Sequence, residues 1–275
     1  MTDERPLSDQ LTRREDGGVL WLTLNRPEAA NALTPDQRDL LIDVLADASA
    51  RVEVRAVVIT AAGKHFCTGA DLRHSRPGPE RPQGAPERVV GDVARMIEGG
   101  AQRLITAVVD CEKPVIGAVN GTAAGIGAHL ALACDLVVAA EGVRFIEVFV
   151  RRGLVPDGAG CWLLPRLVGL QKVKELMFFG DALGADEAER LGLVNRVVAA
   201  DELEKVATEW AGRLAAGPTR SIGLTKGLLN RSLDSDRPTA FREEALAQEL
   251  NMQTHDANEG VAAFVERREP DFRGW

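Results

Sequence analysis

The sequence has no excess of basic charge, no closely paired cysteines and no long apolar run, and each absence removes a class of function. Its 275 residues carry 33 Lys plus Arg against 41 Asp plus Glu, a formal net charge of −8. A nucleic-acid surface needs a net basic face, so the balance argues against that role while leaving room for a local basic pocket. Cys67, Cys111, Cys134 and Cys161 lie far apart with no CxxC spacing. They read as reduced, mostly buried thiols of a cytosolic protein, and no metal site is expected. Met1 to Gln10 is polar, without the apolar run of a signal peptide, and no stretch approaches the ~18 apolar residues of a membrane span. The expectation is a soluble, cytoplasmic protein with neither nucleic-acid nor membrane partners. A chain that is 45% hydrophobic and 27% charged can form one large domain, or a main domain with an appendage.

Val19–Leu24 alternates around Trp21 and reads as a strand, ended by Asn25-Arg26-Pro27, where Pro27 cannot donate to a ladder. Thr34-Pro35 opens a helix, Thr as N-cap and Pro at the first helical position, with Leu40, Leu41, Val44 and Leu45 as its apolar stripe. Arg55–Thr60 reads as a buried strand. From Arg73 to Arg88, Pro77, Pro79, Pro82 and Pro86 with Gly78 and Gly84 exclude a regular element and imply a mobile surface loop. A helical segment, Val89–Val109, leads to strands at Pro114–Val119, Asp135–Ala139 and Phe145–Phe149. Helices follow Pro156. This order implies an α/β core over residues 1–199 and a helical region over 200–275.

Two glycine-bearing segments carry the chemistry. In Gly63–Leu72 (GKHFCTGADL), Gly69 lets the backbone approach a ligand closely and can leave the N–H of Ala70 free. A plain strand-to-helix loop is the competing reading. In Asn120–Ala133 (NGTAAGIGAHLALA), small residues precede a helix that starts near Gly127, where free N–H groups suit an oxygen gaining negative charge. Tight helix–strand packing also selects Gly and Ala. A dinucleotide loop is discounted, because the spacing is G-x-x-x-G-x-G and no ribose-binding acid follows.

Taken together, the motifs resemble the crotonase (enoyl-CoA hydratase/isomerase) family. NRPEAANAL (Asn25–Leu33), FCTGADL (Phe66–Leu72), VNGTAAGIG (Val119–Gly127), FVRRGLVPDGAG (Phe149–Gly160), LPRLVG (Leu164–Gly169) and the ending Glu259–Gly274 are all similar to family segments. The resemblance implies a crotonase-type spiral of ββα turns in two sheets, with C-terminal helices that trimerise, as a homotrimer or a dimer of trimers. It implies an acyl-CoA thioester substrate and no cofactor beyond that coenzyme A. It places two oxyanion donors on the backbone N–H groups of Ala70 and Ile126. In that role each donor contributes roughly 3–4 kcal/mol to the transition state.

The two glutamates that hydratases of the family use fall here on His129 and Phe149. Asp157, in GLVPD, is similar to the acid/base aspartate of the ring-epoxide isomerases of phenylacetate breakdown, and one carboxylate suffices to move a double bond. Its competing role is a helix N-cap. His129 is either a packed side chain or a proton carrier. Glu147 is either a paired or solvated strand residue or a site carboxylate, and His65 either touches CoA or is exposed. The resemblance places CoA near Arg26, Ala30, Thr68, Ala70, Asp71 and Leu72, with Phe149 at the acyl pocket. Lys226 and Arg267 stand as phosphate partners or solvated charges, and the Pro-rich loop as a lid. Double-bond isomerisation through Asp157 is the expected activity. The alternatives are hydration through Asp157 and His129, or a non-catalytic acyl-CoA binder.

Overall fold

The computed structural model describes residues 3–74 and 80–275. Two β-sheets enclose a short, wholly buried helix. The larger sheet contains β1 (Asp3–Ser8), β2 (Leu11–Asp16), β3 (Val19–Leu24), β4 (Ala56–Ala61), β6 (Val115–Val119), β8 (Leu136–Ala140) and β11 (Arg196–Val198), in that order. The smaller has the order β10 (Ala182–Gly184), β9 (Arg144–Ile146), β7 (Thr122–Ala124), β5 (His65–Cys67).

The chain reaches both sheets by a repeated corner. β4 runs in the larger sheet and β5 in the smaller; β6 and β7 repeat the step, as do β8 and β9. The strands of the larger sheet pair in parallel from β3 to β11. Parallel strands covered on both faces read as unbroken apolar runs, as VIGAV at Val115–Val119 does. Gly121, at the second corner, has no room for a side chain, because a Cβ there would come within 2.0 Å of the Lys64 carbonyl oxygen. One corner is thereby stacked directly on the next.

Helix α1 (Pro35–Ala50) starts as its sequence dictates, with the Thr34 side chain accepting from Gln37 N–H and Pro35 following. The expected helix at 89–109 is instead α2 (Asp92–Ile97), a π-helical turn (Glu98–Gln102) and α3 (Arg103–Val109). Helix α4 (Ile126–Leu132) packs on β5, β6 and β7 between the sheets, with every residue buried. A helix apolar all round belongs there. Then come α5 (Gly160–Val168), α6 (Leu170–Phe179), α7 (Ala185–Arg190), α8 (Leu203–Ala215), α9 (Thr219–Arg231), α10 (Arg237–Asn251) and α11 (His255–Glu266). Every element after Val198 is helical. Helix α8 nevertheless packs on β3, β4, β6 and β8, so the sheet draws its cover from beyond the expected boundary at residue 199.

One strand was not anticipated, and one expectation needs correction. The polar N-terminus forms β1, antiparallel to β2. The strand expected at Phe145–Phe149 is β9 at Arg144–Ile146, after which the chain turns. Of the expected loop, residues 75–79 lie outside the described residues. Residues 80–88 contain no regular element and are mostly exposed.

The first functional segment is tied down by a buried polar joint. Asn31, fully buried in the left-handed region at φ 54°, accepts from Arg26 N–H through Oδ1. Its Nδ2 donates to the carbonyls of Ala62 (2.8 Å) and His65 (2.7 Å). Asparagine tolerates that conformation better than most residues. The Arg26 guanidinium meets the buried Asp71 carboxylate at 3.0 Å. Burial alone would raise the Asp71 carboxyl, but hydrogen bonds from Arg26, Arg73 and His74 outweigh it and hold it well below the carboxylate range.

Gly121→Ala is expected to destabilise the fold by about 3 kcal/mol, measured by urea unfolding, since backbone must move to admit the methyl group. Asp71→Asn should cost about 2 kcal/mol at neutral pH through lost charge-assisted hydrogen bonds. A depressed carboxyl stabilises the fold above its unfolded pKa, and that contribution is lost as pH falls through the folded pKa. The gap between wild type and Asp71→Asn should therefore be constant above about pH 5 and shrink below about pH 4.

Candidate active site

Two backbone N–H groups that lack acceptors among the described residues stand at the ends of adjoining loops. Leu33 and Ala70 form a parallel bridge in which Leu33 N–H donates to Gly69 O (2.8 Å) and Asp71 N–H to Leu33 O (2.9 Å). In such a bridge the flanking residues make the bonds. The N–H of Ala70 has no acceptor among the described residues. Ile126 is the first residue of α4, preceded by Gly125 at φ 54°. The N–H groups of Ala128 and His129 both donate to Gly125 O, whereas that of Ile126 has no acceptor among the described residues.

The loops are locked together. Cys67 on β5 pairs with Ala123 on β7, and a Cβ on Gly127 would come within 2.1 Å of the Cys67 carbonyl oxygen. Gly69, at φ 116°, stands where a Cβ would meet the Ala124 carbonyl oxygen at 3.4 Å. The loops that carry both N–H groups thus pack closely, backbone toward backbone.

Beyond Ile126 lie His129, Glu147, Phe149 and Asp157. The His129 ring is fully buried and stacks on Phe149 with centroids 5.5 Å apart and planes at 14°. Its Nε2 lies 3.1 Å from Glu147 Oε2. Because β9 ends at Ile146, Glu147 leaves the strand register and turns inward, buried. Of the readings left open for Glu147, the structure shows the paired one, with His129 as partner. The signal that could have found it is one carboxylate inside the apolar run FIEVFV, where a buried charge needs a partner.

Asp157 is half-buried and caps no helix. Helix α5 begins at Gly160 with Ala159 as N-cap and no side-chain cap bond. Burial pushes the Asp157 carboxyl upward, opposed by charge on the His129 ring. A partly desolvated, uncapped carboxyl can take up and release a proton. Gly158 and Gly160 fold this loop over the preceding helix: a Cβ on Gly158 would lie 2.2 Å from Ile126 Cδ1, and one on Gly160 2.2 Å from His129 Nε2.

The remaining expected residues separate into groups. Ala30, at φ 51°, accepts from both Thr68 N–H (3.3 Å) and Thr68 Oγ1 (3.1 Å). Leu72 is 73% exposed beside them, and His65 Nδ1 is buried without a partner among the described residues. The charges of Arg26 and Asp71 are spent on each other; what they supply is the shape of the loop that carries Ala70. Lys226 is engaged otherwise than expected. Its Nζ lies 2.8 Å from Asp135 Oδ2 and donates to the carbonyls of Val108 and Lys113, so its charge is buried and paired. Arg267 ends α11 in the left-handed region and is exposed. A cavity of about 600 Å³ lies at the far end of α4, between Leu132, Trp162, Lys226 and Leu229, away from the two N–H donors. Among the described residues no group of three or more His, Cys, Asp or Glu side chains is placed to hold a metal, and no helix is long and apolar enough to cross a membrane.

The chain is similar to known proteins in sequence and fold. A probable enoyl-CoA hydratase of Rhodobacter capsulatus is 38% identical over 94% of this chain and 95% of its own. The 1,2-epoxyphenylacetyl-CoA isomerase of Escherichia coli is 37% identical over the same shares. The crystal structure of a putative enoyl-CoA hydratase from Streptomyces coelicolor superposes with a TM-score of 0.87, at 36% identity, covering 98% of this chain and 97% of that one. Residues 14–274 match the family as a whole, and the chain belongs to the enoyl-CoA hydratase/isomerase family.

Proposed function

We propose that this enzyme moves a double bond in an acyl-CoA thioester, with Ala70 and Ile126 N–H holding the thioester oxygen and Asp157 carrying the proton. The observation that carries the reading is the Asp157 carboxyl. It is half-buried, raised by that burial and engaged in no helix cap, while the two positions of the usual hydratase glutamates hold His129 and Phe149.

The chemistry follows from charge. Removing a proton beside a thioester sends the C–H electron pair toward the carbonyl oxygen, where two fixed N–H dipoles meet the developing charge without reorganising. Asp157 accepts the proton and returns it to another carbon of the chain. One group can do both, since nothing is added to the substrate or lost from it. In this reading Ala30, Thr68 and Leu72 border the pantetheine, and Arg26 and Asp71 keep that border in place. Coenzyme A enters only as part of the substrate.

Hydration is the second reading, and the pairing of His129 with Glu147 favours it, because an oriented imidazole can hold water. Loss of the conjugated absorbance of crotonyl-CoA, without prior isomerisation, would decide for it. Exposed apolar side chains on the C-terminal helices (Phe241, Leu246, Leu250, Phe264 and Val265) support assembly as a homotrimer or a dimer of trimers. Sedimentation should then give three or six chains.

Asp157→Asn is expected to bind CoA esters within a few-fold of wild type yet lose at least about 100-fold in kcat on a 3-enoyl-CoA. Retention of most activity overturns the assignment. Ile126→Pro deletes one N–H donor at a first-turn helix position, where proline is tolerated. It should lower kcat by roughly 100- to 1,000-fold, and the lost burial of the isoleucine side chain should lower the melting temperature by a few degrees.

A further inference from the structure

One nitrogen of the His129 ring is engaged and the other is bare. Nε2 faces Glu147 at 3.1 Å, in a pair whose side chains are 0% and 5% exposed. Nδ1 is buried with no hydrogen-bond partner among the described residues. It lies against the Asp157 loop, since a Cβ on Gly158 would be 2.9 Å from it. The Asp157 carboxyl is within electrostatic reach of the ring. Phe149 sets the plane of the ring by stacking on it, and Gly160 closes over the Nε2 edge. A histidine that served packing alone would be expected to satisfy both nitrogens, because a bare buried one is costly.

We propose that Glu147 is a positioning residue that fixes His129 with Nδ1 toward the Asp157 loop, and that His129 relays the proton Asp157 takes from the acyl chain. The inference rests on the acid–base role proposed for Asp157. As the carboxylate removes a C–H proton, the electron pair of that bond moves into the thioester and its charge settles on the oxygen between Ala70 and Ile126 N–H. No hydrogen bond joins Asp157 to Nδ1 in this structure; the proton passes between them when the half-buried Asp157 side chain swings toward the ring, and returns by the same path for delivery to a second carbon, so protons and electrons balance. Glu147 accepts at Nε2 throughout, which makes Nδ1 the exchangeable position. Neither His129 nor Glu147 needs to touch the acyl chain; both act through Asp157.

The titratable groups around the pair come from several elements. Glu147 follows β9 and Asp157 precedes α5. Cys161 on α5 is raised by burial and by the charge of Glu147. Cys67 on β5 lies against Gly127, and burial pushes its thiol up to about 12. Both cysteines therefore stay neutral through the working pH range, leaving Glu147 and Asp157 as the groups that govern the ring.

The test is deuterium wash-in from D2O at C2 of a saturated acyl-CoA, which needs the two N–H donors and Asp157 but no double-bond migration. Glu147→Gln and His129→Gln should each slow exchange at least about tenfold and alter its pH profile, with thioester affinity little changed. Glu147→Asp, which keeps the carboxylate, should recover part of the rate. Exchange at the wild-type rate with the wild-type pH profile in both variants overturns the relay, as does an equal loss of affinity and rate. Failure of the isomerase reading looks different, since wild type would then exchange C2 protons without moving a double bond. No exchange in wild type overturns both. Imidazole 15N spectra of the unsubstituted protein, which has four histidines, decide the matter even if the variants do not fold. Nε2 of His129 should carry a proton, and Nδ1 should respond to Asp157→Asn; a bare Nε2 overturns the proposal.

Discussion

Everything in the site depends on one contact that side chains are forbidden to enter, the approach of Gly127 to the carbonyl of Cys67. It locks together the loops that follow β5 and β7, neighbouring strands of the smaller sheet, and so fixes the separation of the two backbone N–H groups. Packed interiors shift in small discrete steps rather than deforming continuously. A joint made of backbone against backbone therefore holds the donors in place before any substrate arrives. The larger sheet, the stacked corners and the Arg26–Asn31–Asp71 joint all serve to keep that crossing where it is.

In the proposed reaction the work divides between backbone and side chains. The backbone would stabilise charge on oxygen, a task common to every reaction of a thioester enolate. The side chains would decide where the proton goes, and here they differ from the usual pattern of two glutamates. Asp157 stands in a loop without bulk, Phe149 supplies a flat wall, and His129 pairs with a carboxylate of its own. The site thus contains two carboxylates and one imidazole in a partly desolvated space. Among these groups it is the His129 ring whose charge bears on the Asp157 carboxyl, opposing the upward push of burial.

Much of the fold was legible because its signals were local. Thr34 with Pro35 marked the start of α1, apolar runs marked β3, β4, β6 and β8, and the glycine motifs marked the loops bearing Ala70 and Ile126. What escaped depended on partners distant in sequence. β1 carries no apolar pattern of its own and forms by pairing with β2. The π-helical turn at Glu98–Gln102 leaves a helical periodicity otherwise intact. Lys226 reads as a solvated helix charge until Asp135 and two carbonyls are brought against it. Glu147 was left open between a paired or solvated strand residue and a site carboxylate, and only the tertiary structure shows that its partner is His129.

The loop over His129 carries a consequence for how such a site can change. Gly160 has no Cβ because the imidazole occupies that space, and Gly158 leaves room for the same ring and for Ile126. An imidazole at position 129 and a methyl group at position 160 are mutually exclusive. Any sequence with a side chain at 160 must shrink or redirect residue 129, and any sequence that keeps the histidine must keep the glycine. Positions 129 and 160 therefore behave as a single compound position, and a change of chemistry at the first requires a simultaneous change of shape at the second.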